Sequence, residues 1–214
     1  MGRVTNSIIS GTSGRTGRVV IAKVNGVEIS RERPGKRTKP PTASQLLHQQ
    51  KFGFAIGFLS GYRSYAKTFF GHKAGLKSCY NMAVANVIDA IGMSPEEEFT
   101  VDCNKIMFSK GPLPEMEPVS VLLPEPLTLS IAWTDNSEED PLRQTDQLQI
   151  LYYSATEDKA RLKLTTVART EETYSFMLLP KFGGEEVHVW AAFKAADDTA
   201  ASDSVYLGSV TVNG

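Results

Sequence analysis

Acidic side chains are almost missing from the first 79 positions. Only Glu28 and Glu32 occur there, against 14 of the chain's 23 lysines and arginines. Residues 80–214 hold the other 22 of the 24 carboxylates and nine cations, so a net charge of −1 divides into +12 and −13. This excludes an evenly mixed surface. Halves of opposite sign attract each other, or the opposite halves of neighbouring copies, over a reach of about 8 Å at physiological salt.

Cysteine and histidine are scarce as well. Cys79 and Cys103 with three scattered histidines (His48, His72 and His188) do not form a spaced ligand set, so no metal is expected. Two cysteines in 214 residues read as reduced thiols rather than as a disulfide framework. Long apolar runs are missing too: the most apolar helical stretch, Phe52 to Leu59, falls far short of the roughly 20 residues that a membrane span needs. The start, Met-Gly-Arg followed by Thr5, Asn6 and Ser7, has no leader-like apolar core of about 7–15 residues. The expectation is a cytoplasmic protein as synthesised, or a component of a virion or particle. Neither G-x-S-x-G nor H-E-x-x-H occurs. No catalytic residue and no cofactor is therefore expected, and the chain reads as a protein that is not an enzyme.

Among the residues present, VVIAKVNGVEIS (Val19–Ser30) has two β-branched runs around Asn25-Gly26, a pair that accepts the positive φ angles of a tight hairpin turn. RERPGKRTKPP (Arg31–Pro41) follows, with five cations and three prolines that deny it helix and central strand, leaving an extended basic connector. Thr42 with Gln45 three residues on reads as a capping box opening a helix. Phe54, Phe58, Tyr62, Tyr65 and Phe69 then recur at helical spacing and share one face. Gly53, Gly57 and Gly61 form a stripe beside them. Each mid-helix glycine costs about 1 kcal/mol against alanine, so the stripe predicts close approach of another backbone. The natural partner is a second helix over Leu76–Ile91, with Gly92 as its C-cap.

Beyond Ser94-Pro95 and three glutamates the apolar period switches from 3.6 to 2. Alternating runs recur at Phe99–Cys103, Ile106–Phe108, Leu127–Trp133, Leu148–Tyr153, Leu162–Val167, Tyr174–Leu179, Val187–Phe193 and Val205–Val212. Turn clusters such as Thr134–Ser137, Glu157-Asp158 and Asp197-Asp198 separate them. Short connections exclude a parallel sheet. Trp133 is a core candidate at a strand end. The predicted fold class is α+β: an N-terminal β-hairpin plus two helices (residues 1–95, basic), then an antiparallel β-sandwich of immunoglobulin or fibronectin type III style (residues 96–214, acidic).

Gly11, Gly14 and Gly17 superficially suggest a phosphate-cradling loop, but no Lys-Ser or Lys-Thr follows and they precede a strand, so turns are the better reading. In the run EVHVWAAF, Val187, Val189, Ala191 and Phe193 share one face and leave His188 and Trp190 on the other. Trp190 with Tyr153 and Tyr206 is then a candidate outward aromatic platform for a glycan or protein, as in a cell-envelope or carbohydrate-binding module. The connector cations Arg31, Arg33, Lys36, Arg37 and Lys39 are the candidate contacts to an acidic protein surface, including the acidic half of another copy. Basic side chains with interleaved rings also fit nucleic acid, but the ring stripe has the period of a buried helix face, so nucleic acid is the alternative partner and protein the preferred one.

Four segments also carry a resemblance that spans nearly the whole chain: GRTGRVVIAKVNGVEISRERPGKRTKPPTASQLLHQQKF, FTVDCNKIMFSKGPLP, LTLSIAWTDNS and GGEEVHVWAAFKAADDTAASDSVYLG. With these the chain resembles an uncharacterised Bacteroidetes family, domain of unknown function 6266. The first segment also looks like stretches of phage and prophage proteins of the same bacteria, where a hairpin, a basic proline-rich connector and a capped helix recur. Here Pro41 precedes Thr42 instead of following it. The family brings no assigned functional residues. What the resemblance implies is one cooperative fold, and the expectation is a structural or assembly protein of a multi-subunit particle.

Overall fold

A computed structural model describes residues 2–24, 26–36, 38–73, 75–93, 99–138, 140–157 and 159–213. Asn25, Arg37, Ser94, Pro95 and Asp158, named above, lie outside the described residues.

The hairpin forms as β3 (Val19–Val24) and β4 (Val27–Glu32), with Val24 opposite Val27 and Gly26 at φ 84°. Two strands that the alternation did not reveal flank it, β1 (Gly2–Arg3) and β2 (Gly14–Thr16), in the order β1-β4-β3-β2. They are too short to show a period. Both N–H distances from Gly11 to the Glu28 carboxylate, 3.0 and 3.1 Å, close the intervening loop over the sheet.

Helix α1 (Ala43–Ser60) starts as its sequence requires: the Gln45 N–H donates to Thr42 Oγ1, and the Thr42 N–H donates to Gln45 Oε1. The aromatic stripe does not run on one helix. The chain breaks at Gly61 and Tyr62 and resumes as α2 (Arg63–Phe69), and α3 (Cys79–Ala90) follows. Gly92 does not cap α3. It lies in β5 (Ile91–Met93), paired with β6 (Phe99–Val101), where an added Cβ would stand 2.8 Å from Thr100 Oγ1.

The rest is an antiparallel sandwich. One sheet has the order β10-β9-β12-β13, from β9 (Gln147–Tyr153), β10 (Arg161–Ala168), β12 (Glu186–Lys194) and β13 (Val205–Thr211). The other has the order β11-β8-β7, from β7 (Glu117–Glu125), β8 (Thr128–Thr134) and β11 (Thr173–Met177). Every pairing is antiparallel. Four strands facing three in this order is the fibronectin type III style of sandwich. Strand β7 was hidden by Pro118 and Pro124, which an edge strand tolerates. Ile106–Phe108 is extended but pairs with side chains: the Met107 N–H donates to Asn86 Oδ1 and the Phe108 N–H to Ser204 Oγ.

Two cores result, one on each face of the four-stranded sheet. Between the sheets lie Leu129, Ile131, Trp133, Leu148, Ile150, Phe176, Val187, Val189 and Phe193. On the opposite face, α1, α2 and α3 bring Phe58, Tyr62, Tyr65, Ala83 and Val87 against Leu151, Tyr153, Trp190 and Ala192. The helices and the sandwich therefore share a core across residue 95. The body has three layers: helices, sheet, sheet.

Candidate functional site

Phe58 of α1 packs with Trp190, Tyr153 and Tyr206 of the outer face of the four-stranded sheet. Trp190 has no exposed surface and Tyr153 is 6% exposed, while Tyr206 is half-buried. Phe58 comes down from α1 to 4.9 Å from the Tyr153 ring and 6.3 Å from Trp190, with Trp190 and Tyr206 at 5.2 Å. The Trp190 indole N–H donates to the Cys103 carbonyl at 3.1 Å. The expected outward platform is thus an internal layer. Strand alternation correctly placed Trp190 opposite Val189, but both faces of this sheet are covered, so facing away from the sandwich core does not mean facing solvent.

His188 shares that face and is half-buried. Its Nδ1 lies 2.8 Å from the Tyr206 hydroxyl. Burial holds its imidazole below the ordinary value, against the opposing pull of Glu186. Cys103 is buried nearby, and burial, with Asp102 and Glu186 adding to it, pushes its thiol up to about 11. A thiol raised this far carries little thiolate at neutral pH. Among the described residues, no group of three or more His, Cys, Asp or Glu side chains gathers to hold a metal ion.

The candidate cations lie elsewhere. Arg31 is near the end of β4, and the Arg33 N–H donates to the Arg18 carbonyl at 2.7 Å, which keeps the strand direction for one more residue. Lys36 follows outside any helix or strand, and Lys39 lies in a bend. Arg31, Arg33, Lys36 and Lys39 are all exposed. Arg15, Arg18, Arg33 and Lys36 surround a cleft of about 1020 Å³ whose one carboxylate, Glu32, is held by Arg18 at 3.1 Å.

The body treats its charge in the opposite way. Lys105, Arg143, Arg161, Arg169, Lys181 and Lys194 each pair with a carboxylate of residues 80–213. Among the described residues, the exposed Glu115, Glu117 and Glu138 line a groove of about 960 Å³ together with the paired Asp140 and Arg143. Among the described residues, no ion pair joins residues 2–79 to residues 80–213.

The model of the family of unknown function (DUF6266) matches residues 11–208. The chain belongs to this family. No curated protein matches. Among solved structures, the chain is similar to the solution structure of the fn3 domain of human contactin 1, at 16% identity and a TM-score of 0.34, covering 50% of this chain and 85% of that one. The family match takes in β2, β3, β4, the helices and nearly all of the sandwich, so both charge halves belong to one family unit. Among the described residues, no helix is long and apolar enough to cross a membrane.

Proposed function

We propose that the chain is a non-catalytic structural subunit that assembles with copies of itself, the cationic N-terminal sheet and connector of one copy meeting the anionic body of the next. One observation carries this reading: among the described residues, every ion pair stays within its own half and the exposed Arg31, Arg33, Lys36 and Lys39 make none. A surplus of each sign, held apart within one molecule, is matched in a neighbouring copy, and association then releases counterions from both. The non-catalytic part rests on the sequence, which carries neither G-x-S-x-G nor H-E-x-x-H. The resemblance of the N-terminal segment to phage and prophage proteins supports a phage-derived or other multi-subunit particle as the setting.

Sedimentation velocity over a range of protein concentrations, at about 50 mM and about 500 mM salt, tests the reading. Species larger than a monomer at low salt, dissociating as salt rises, are expected because surface attraction is screened beyond a few ångströms at high ionic strength. A monomer at high concentration and low salt would remove it.

A further inference from the structure

The N-terminal sheet separates its charges by face. Because residues directly opposite each other in an antiparallel pair share a face, the register fixes which side chains stand together. On one face, Arg31 of β4 is opposite Val20 of β3, which is opposite Arg15 of β2. In the next row on the same face, Arg3 of β1 is opposite Ile29 of β4, which is opposite Ala22 of β3. Arg15 and Arg31 are thus two strand spacings apart, roughly 10 Å, and Arg3 is diagonal to Arg31 at about 7–8 Å.

The two carboxylates of this half are both on the other face. Glu28 is opposite Lys23, and Glu32 is opposite Val19. Both are engaged there, Glu28 by the Gly11 N–H and Glu32 by Arg18. Arg3, Arg15 and Arg31 are exposed and make no ion pair among the described residues.

We infer that this arginine face, rather than the connector alone, is the docking surface, and that its occupant is the anionic body of a second copy. The inference rests on the self-assembly reading above and assigns its contact residues. Charge complementarity selects the occupant: residues 80–214 of each copy carry a surplus of 13 negative charges, against 12 positive in residues 1–79. The chemistry of the face points the same way. Between the arginines stand only Val20, Ala22 and Ile29, and no Phe, Trp or Tyr precedes Phe52, so the module offers no ring on which a nucleotide base would stack. Arginines spaced across an aliphatic sheet face suit bidentate contact with carboxylates on a protein surface.

Two full-length variants separate the possibilities, each changing the net charge by the same amount. One is Arg3→Glu with Arg15→Glu and Arg31→Glu; the other is Arg33→Glu with Lys36→Glu and Lys39→Glu. Amide exchange of Ile21 and Ile29 verifies that the sheet still forms, and if the reversal melts it, Arg→Gln at the same three positions replaces it. Self-association at about 50 mM salt, read by sedimentation, is expected to weaken at least about tenfold in the face variant and only severalfold in the connector variant. Equal losses in both, or a greater loss in the connector variant, overturn the assignment to the face while leaving self-assembly standing. A wild-type chain that never self-associates removes both. A wild-type chain that binds a 20-mer of single-stranded or duplex DNA more tightly than it binds itself, through these same arginines, replaces the occupant with nucleic acid.

Discussion

Gly61, the residue at which α1 ends, faces the carbonyl of Ala160 so closely that a Cβ placed on it would stand 1.8 Å from that oxygen. The Ala160 N–H in turn donates to the Phe58 carbonyl at 3.1 Å, so the loop between β9 and β10 seats the last turn of the helix. This contact joins the helical layer to the sandwich. The close approach expected for the glycine stripe exists, but the backbone that makes it belongs to a sandwich loop and not to a second helix.

Gly61→Ala therefore cannot be absorbed by moving a side chain, and is expected to destabilise the protein by about 1–3 kcal/mol. Gly53 is on the same stripe with nothing within 4 Å of an added Cβ, and Gly53→Ala is expected to stabilise by roughly 0.5–1 kcal/mol through helix propensity alone. Thermal melts of the two variants should shift in opposite directions, Gly61→Ala downward by about 5 °C. Equal shifts would mean that the stripe acts only through propensity.

Much of this architecture was legible because local signals and global packing agree. The Val24–Val27 turn, the Thr42–Gln45 cap and the alternation around Trp133, Ile150 and Val189 all specify what they build. What stayed hidden lacked a local signal. Strand β7 carries prolines that argue against a strand unless its edge position is known. The break at Tyr62 leaves the ring spacing intact, and so is invisible to periodicity. Trp190, Tyr153 and Tyr206 showed which face of the sheet they occupy, but only the fold shows that helices cover it. Arg31 could be assigned a face from the hairpin register, whereas Arg3 and Arg15 lie on strands of two and three residues that show no period.

Arg169 is fully buried, its guanidinium 3.9 Å from the centroid of the Phe193 ring, and it holds Asn136, the Pro114 carbonyl and Asp146 together at one end of the sandwich. Its own carbonyl accepts from the Trp133 indole at 2.7 Å. Burial lifts the Asp146 carboxyl above its ordinary value although Arg143 and Arg169 oppose the shift, which marks a desolvated ion pair. Arg169→Ala leaves that carboxylate without its buried partner and is expected to cost about 3–5 kcal/mol. Arg169→Met combined with Asp146→Leu should recover most of the loss in chemical denaturation, since neither member is then left alone. A double variant no more stable than the single one would assign the loss to packing on Phe193 instead.

His188 gives the stability curve a definite sign. Burial holds its folded-state value below the ordinary 6.5, so as pH falls the unfolded chain takes up the proton first. Stability from this residue is present above about pH 6.5 and is lost below it. Asp102 and Glu157, hydrogen-bonded by Lys105 and Lys181, are held below ordinary carboxylate values, and their contributions disappear at lower pH still. Urea midpoints measured between pH 7.5 and about 5 should therefore fall for the wild type and fall less for His188→Gln. Parallel curves would show that another group controls this window.

Cys103 offers a reporter for opening of the helical layer. Cys103 opens a single 3-10 turn (Cys103–Lys105) beside Trp190, and burial pushes its thiol up to about 11, so at pH 8 little thiolate exists in the folded protein. Cys79, whose thiol donates to the Gly71 carbonyl at 3.3 Å, is buried in the same core, and Cys79→Ser leaves a single thiol to follow. In that variant, reaction with an aromatic disulfide reagent at pH 8 should be slow and should accelerate with denaturant, because modification requires the layer to open. Adding Gly61→Ala, which displaces α1 from the sandwich loop, should speed the labelling roughly tenfold or more for each 1.4 kcal/mol of opening energy removed if exchange follows the open population. Rapid labelling of the unperturbed protein, insensitive to denaturant and to Gly61→Ala, would show that Cys103 is reached without opening the helix-to-sheet core.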